Sequence, residues 1–259
     1  MIFHFRASCG SVIGSGCSNN EDNFYFDGRH LAIPNQGIKY PMKQEGTTDT
    51  PVVLAVFDGM GGESGGDEAA CIASEIFSNE YKKLEEIARS GKAFMFDACD
   101  AANRAVDQAR VSRQVSRMGA TVAALHLSYD EIVACNVGDS KIFRLRYKQL
   151  LQISQDHTDD HILSAMGVEK KPVLLQYLGM PQTEMTIDPY VSRGDLMPGD
   201  TYMLCSDGVT DAVAADVLFD LLSHYEPYEA SRRILELVRE QNAFDSATVI
   251  VVTIDNSGV

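Results

Sequence analysis

Three short runs rich in β-branched residues follow one another between Thr121 and Tyr147: Thr121–Leu127, Ile132–Val137 and Ile142–Tyr147. Only four residues separate each run from the next. A parallel crossover needs a dozen or more residues, so connections this short suggest antiparallel sheets. Similar runs stand at Val52–Phe57, Tyr202–Cys205 and Thr248–Ile254. Apolar residues at helical spacing lie apart from them. Ala69, Ile72, Ala73, Ile76, Phe77, Leu84 and Ile87 predict one long helix, ended by Ser90-Gly91. A second is expected over about Lys92–Val111, and shorter ones near Asp211–Ser223 and Tyr228–Gln241. Strands grouped apart from helices give an α+β chain with antiparallel sheets. Asp27–Pro51 and Asp156–Met180 read as irregular excursions, and Asp27-Gly28 as a turn.

The 259 residues carry 22 basic and 37 acidic side chains, a net charge of −15. That balance excludes a nucleic-acid binder driven by phosphate neutralisation and argues against adhesion to an anionic membrane. No apolar run approaches a membrane span, and no signal peptide is apparent. Six cysteines show neither CxxC nor zinc spacing. Cys71, Cys135 and Cys205 lie in apolar stretches and read as core, which fits a reducing cytoplasm.

Acidic residues recur where strands end. Asp58 follows Val52–Phe57 and precedes Gly59. Asp207 follows Leu204-Cys205-Ser206, Asp139 follows Val137-Gly138, and Asp245 precedes the last strand. Glu21-Asp22 precedes the strand-like Phe24-Tyr25-Phe26. One Asp-Gly is usually a turn; the repetition is what suggests convergence on one pocket. Oxygen ligands without His or Cys select Mg²⁺ or Mn²⁺ over zinc. The glycine-rich run Asp58–Gly66 has neither the P-loop lysine nor GxGxxG, so nucleotide binding is weakly supported.

Taken in order, these segments resemble the metal-dependent Ser/Thr protein phosphatases of the type 2C class in their compact bacterial form. The resemblance rests on Asn20-Glu21-Asp22, Asp58-Gly59-Met60-Gly61-Gly62, Met118-Gly119-Ala120-Thr121 and Asn136-Val137-Gly138-Asp139-Ser140-Lys141. It continues through Ser154-Gln155-Asp156-His157-Thr158, Leu178-Gly179, Pro198-Gly199-Asp200, Leu204–Asp211 and Asp245–Val249. It implies a four-layer α-β-β-α sandwich, with residues 1–259 as a single domain and a binuclear Mg²⁺ or Mn²⁺ centre at one edge. Asp58, Asp207 and Asp245 would be the catalytic carboxylates. Asp58 would bridge both ions, Gly59 would offer its carbonyl, and Asp207 and Asp245 would complete the first site. Asp22 and Glu21 would hold the second ion, and Asp139 a third, weaker one near Asp207.

The implied activity is hydrolysis of phosphoserine and phosphothreonine in proteins by metal-activated water. The alternative is a catalytically weak or inactive phosphoprotein-binding regulatory module on the same fold. A hydrolase of small phosphoesters is a third reading. The implied setting is a cytoplasmic monomer that meets phosphorylated proteins and a Ser/Thr kinase, with no nucleic acid or membrane partner. Lys141 stands for the family's Arg and Ser246 for its Asn, and two further positions depart from the family pattern. Cys17 stands where members carry a phosphate-gripping Arg, with Lys141 and Arg144 as candidate replacements. Glu63 stands where bacterial members often have His, with His157 and His161 as alternative proton donors.

Overall fold

The computed structural model describes residues 1–61, 65–86, 89–168, 170–183 and 185–256. Its centre is the Val52–Phe57 run, within strand β4 (Val52–Met60). Every residue from Val52 to Phe57 is buried, because both faces of the strand are covered. Val53, Ala55 and Phe57 meet helices; Leu54 and Val56 meet a second sheet. This alternation of side chains generates the layers.

One sheet contains β4, β2 (Asp22–Tyr25), β6 (Val122–Ser128), β7 (Glu131–Val137) and β10 (Tyr190–Asp195), ordered β10-β7-β6-β4-β2. A short β5 (Gly119–Ala120) pairs with the far end of β4. The other sheet is ordered β3-β1-β12-β11-β8-β9. It comprises β1 (Phe3–Val12), β3 (Met42–Thr47), β8 (Lys141–Arg146), β9 (Gln149–Gln152), β11 (Thr201–Cys205) and β12 (Ala247–Asn256). All the pairings are antiparallel. Phe5, Leu54, Leu125, Leu204 and Ile250 fill the space between the sheets.

Helices α1 (Gly66–Glu86) and α2 (Gly91–Arg113) cover the first sheet through Phe77, Phe94 and Met95. Helices α4 (Asp207–Ala212), α5 (Ala215–His224) and α6 (Pro227–Glu240) cover the second through Val209, Leu218 and Ile234. The four-layer α-β-β-α sandwich is therefore present. Among the described residues no helix is long and apolar enough to cross a membrane. All six cysteines are free, and all but Cys17 are buried.

Several boundaries differ from the sequence reading. Ser90 and Gly91 begin α2 rather than end α1: Ser90 Oγ accepts a hydrogen bond from Ala93 N at 3.2 Å, an N-cap. Ile87 lies outside the described residues. The excursion after Asp27 contains β3, which pairs with the ten-residue β1. The excursion after Asp156 contains a short helix, α3 (Asp160–Met166). Asp27 and Gly28 both have positive φ, 51° and 71°, as a tight turn requires.

Candidate metal centre

Five carboxylates from separate parts of the chain line one basin of about 550 Å³: Glu21, Asp58, Asp139, Asp207 and Asp245. Each arrives by a different route. Asp58 lies within β4, not after it, because Gly59 and Met60 go on pairing with Ala120 and Gly119. Asp139 occupies the turn between β7 and β8, where Gly138 has φ 98°. Asp207 is the first residue of α4, a position where the helix dipole favours an anion. Asp245 leads into β12.

Asp22 belongs to the cluster but stands behind the wall. It is 2% exposed and pairs directly with Asp58 across β2 and β4. Its carboxylate accepts from Ser206 Oγ at 2.7 Å, and Ser206 Oγ in turn accepts from Thr248 N at 3.0 Å. One hydroxyl thus ties the end of β11 to the start of β12 and to β2. Thr121 has a similar role: its hydroxyl accepts from Asp58 N at 3.2 Å and lies 2.6 Å from Ser140 Oγ. Asn136 binds Gln155 through both backbone groups, at 2.7 and 3.1 Å. The uncharged motif residues are struts that set where the carboxylates stand.

Gly59 is required by close approach. A Cβ there would fall 2.1 Å from Gly66 O and 2.5 Å from Glu21 O. A Cβ on Gly66 would meet Glu21 Oε2 at 2.4 Å, so the two glycines make room for Glu21. Gly62 and Glu63 lie outside the described residues.

Electrostatics show what the basin lacks. Burial, then the charges of Asp22, Asp207, Asp245 and Asp139, push the Asp58 carboxyl well above the usual carboxylate range. Burial raises Asp22 to about 8 despite its bond from Ser206. Burial and Asp207 raise Asp139 to about 6, with Lys141 opposing. Partial desolvation and Asp207 also raise Asp245. Among the described residues no three His, Cys, Asp or Glu side chains close into a ready-made ligand cage. The carboxylates stand around the basin instead, as mutual repulsion dictates. An oxygen-only donor set with raised carboxyl pKa values suits a hard divalent cation, which would relieve that repulsion.

Two cations at the basin were not singled out from sequence. Lys171 Nζ lies 3.6 Å from Asp207 Oδ2 and 3.7 Å from Asp211 Oδ2. Arg117 lines the basin and makes no ion pair with a described residue. Arg117 directly precedes Met118-Gly119, the one local signal that could have found it. Lys171 belongs to the excursion after Asp156 and reaches the site only through tertiary folding. A neighbouring cavity of about 500 Å³ shares Asp139, Lys171, Pro172 and Asp207 with the basin and adds Asp156, His161 and Asp211.

The suggested substitutes for Arg separate. Lys141 Nζ is committed to Asp156 Oδ2 at 2.7 Å and Asp139 O at 3.0 Å. Arg144 lies in a different cleft. His157 Nδ1 accepts from Gly138 N at 3.1 Å and supports the Asp139 turn, and burial lowers its pKa. His161 is exposed in the neighbouring cavity. Cys17 is close enough for Asp245 and Glu21 to act on it, but desolvation and those charges raise its pKa, so it is a neutral thiol there.

Residues 43–243 match the sequence model of the family described as protein phosphatase 2C. The chain is 25% identical over 238 residues to the serine/threonine protein phosphatase PstP of Mycobacterium tuberculosis. That alignment covers 87% of this chain and 45% of the mycobacterial protein, so the chain spans under half of that relative's length. It is 27% identical over 223 residues to the serine/threonine phosphatase stp of Listeria welshimeri, covering 80% of this chain and 86% of that protein. The crystal structure of the PstP catalytic domain with two manganese ions superposes with a TM-score of 0.76 at 25% identity. It covers 99% of this chain and 100% of that one. PppA of Pseudomonas aeruginosa shares the fold with a TM-score of 0.77 at 24% identity, covering 98% of this chain and all of PppA.

Proposed function

Because the chain belongs to the protein phosphatase 2C family, we propose that it is a metal-dependent phosphatase acting on phosphoserine and phosphothreonine in proteins. The observation that carries this reading is the meeting of Glu21, Asp58, Asp139, Asp207 and Asp245 in one basin beside two cationic side chains. Asp58 and the Gly59 carbonyl, with Asp207 and Asp245, would hold one Mg²⁺ or Mn²⁺. Glu21 would hold the second, with Asp22 as the buried charge behind it, and Asp139 with Asp207 a weaker third. The two manganese ions of the PstP catalytic domain support that count. Bound there, divalent cations supply a water of lowered pKa and neutralise phosphoryl charge.

The chain's own residues do the rest. Arg117 and Lys171 grip the phosphoryl oxygens, the task that Cys17 cannot perform without a charge. Asp22 adds its carboxylate behind Asp58, and Ser206 and Thr121 hold the two strands in register. His161, in the adjoining cavity, would give a proton to the departing seryl or threonyl oxygen.

Residues 1–259 fold as one such domain, which acts as a monomer. Its partners are phosphorylated proteins and the Ser/Thr kinase that produces them, in the cytoplasm. The charge of −15 keeps it from nucleic acid and anionic membranes. The second reading, a phosphoprotein-binding module without turnover, is favoured by the departures at Cys17, Glu63 and Ser246. Hydrolysis of a phosphothreonine peptide with and without Mn²⁺, comparing wild type with Asp207→Asn, separates the two. Release of phosphate that needs both Mn²⁺ and Asp207 is expected; saturable peptide binding without turnover would sink the enzyme reading.

A further inference from the structure

Ile142, Arg144 and Arg146 alternate along β8 onto the face that looks between the two sheets. Ile142 is fully buried in the inter-sheet core. Arg146 is fully partnered: its Nε and Nη2 each donate to the Asp200 carboxylate at 2.6 Å. Arg144 is different. Its cross-strand neighbour on β11 is the buried Tyr202, and its Nε is shut off from solvent without a hydrogen-bond partner. It makes no ion pair with any described residue. A guanidinium N–H turned toward a core and left without an acceptor is costly, and such an exception calls for an explanation.

The space in front of Arg144 supplies one. A cleft of about 290 Å³ opens between the free edges of the two sheets, β9 and β10. That is the lower end of small-molecule sites, which run roughly 300–1,000 Å³. Ile132, Ala134 and Tyr202 give it an apolar floor, and Ser154 and Ser192 bring hydroxyls, that of Ser192 held only by a long 3.5 Å bond to Ile153 O. Ser154 Oγ accepts from Ile142 N at 2.9 Å, so its own proton is free to donate into the cleft. In a chain with 37 acidic residues, the wall contains no carboxylate and two arginines, of which Arg193 is paired with Glu131 and Arg144 is not paired with any described residue.

We propose that this cleft is a binding site for a small organic anion, with its oxyanion group on Arg144, Ser154 and Ser192 and its body against Ala134 and Tyr202. It shares no wall residue with the acidic basin, so it stands independently of the catalytic reading.

The test is a titration of the ¹⁵N-labelled full chain in Mg²⁺ buffer, in separate arms, with benzoate and with inorganic phosphate. Saturable shifts at the amides of Ser154, Ser192 and Gly194 are expected in at least one arm, and the stronger arm distinguishes a carboxylate from a phosphate ligand. Arg144→Met should weaken that binding about tenfold or more. It should melt at or above the wild-type temperature, since an apolar side chain replaces a half-buried guanidinium whose Nε has no partner. Arg144→Lys, which keeps the charge without the fork, should fall between the two and serves if the Met variant fails to fold. Shifts confined to the basin amides (Gly59, Gly61, Val173), no shift in either arm up to roughly 20 mM, or binding unchanged by both variants would overturn the proposal.

Discussion

Asp22 and Asp58 face each other across the β2–β4 pair, two carboxylates in direct cross-strand register. Like charges placed so are destabilising, and the pair is buried enough that both carboxyl pKa values rise. A strand pair kept in this form trades stability for a cation-binding edge. Replacing Asp22 with Asn should therefore raise the melting temperature of the metal-free protein by several degrees and weaken Mn²⁺ binding about tenfold or more. Calorimetric metal titration and thermal melts read the two effects. A variant that lost stability while binding metal normally would remove Asp22 from the centre.

The pH dependence has a definite sign. Asp22 near 8 and Asp139 near 6 still hold protons in the metal-free native state at pH values where the unfolded chain, with ordinary carboxyls, does not. Metal-free stability should therefore fall as pH rises from about 4 toward 8. Metal must displace those protons, so affinity should climb over pH 6 to 8 with proton release. Calorimetry at pH 7 in two buffers of different ionisation enthalpy measures the release, and a value near zero would count against this electrostatic picture.

Arg117 and Lys171 are assigned to phosphate. Arg117→Ala should raise KM roughly tenfold with a smaller change in kcat, as loss of a charge-assisted contact to a ground-state phosphate predicts. Cys17→Arg should lower KM, because it adds a guanidinium beside Asp245 and Glu21. Steady-state kinetics on a phosphopeptide give both numbers. An Arg117 variant with unaltered KM would show that this side chain does not touch substrate.

Arg146 and Asp200 form a bidentate pair, with Asp200 1% exposed and also accepting from Tyr202 Oη at 2.8 Å and Met197 N at 3.0 Å. Arg146→Met would leave a buried carboxylate without its cation, at a cost of about 3 kcal/mol. Urea denaturation should show a lower midpoint, with activity per folded molecule retained. A shift well below 1 kcal/mol would mean that water replaces the guanidinium.

Much of this chain was legible from local chemistry. Of the two four-residue connections between Thr121 and Tyr147, the first joins an antiparallel pair, β6 and β7, whereas the second carries the chain from β7 to β8 in the other sheet, a switch with no local signature; the repeated aspartates beside β-type runs marked the residues that meet in the basin. Val52–Phe57 announced a strand, and the structure shows that both its faces are covered. Those signals are local because turn length, side-chain alternation and charge act over a few residues. Other features had no local signature. The sequence reading did not find β1 or β3, whose partners lie at the far end of the chain and across an irregular stretch. It placed Asp58 after its strand, because pairing with Gly119 and Ala120, which extends β4, is a long-range event. It treated Lys141 and Arg144 as equivalent, although three residues along a strand separate a lysine of the cavity beside the basin, held by Asp156, from an arginine turned into another cleft. The sequence by itself determined which residue types could hold a cation and that the strands pair antiparallel. Only the tertiary structure decided which carboxylates are buried together, which cations stand beside them, and where one arginine was left without a partner. Burial and mutual repulsion depend on distance in space, and stacked sheets bring together residues that are remote along the chain.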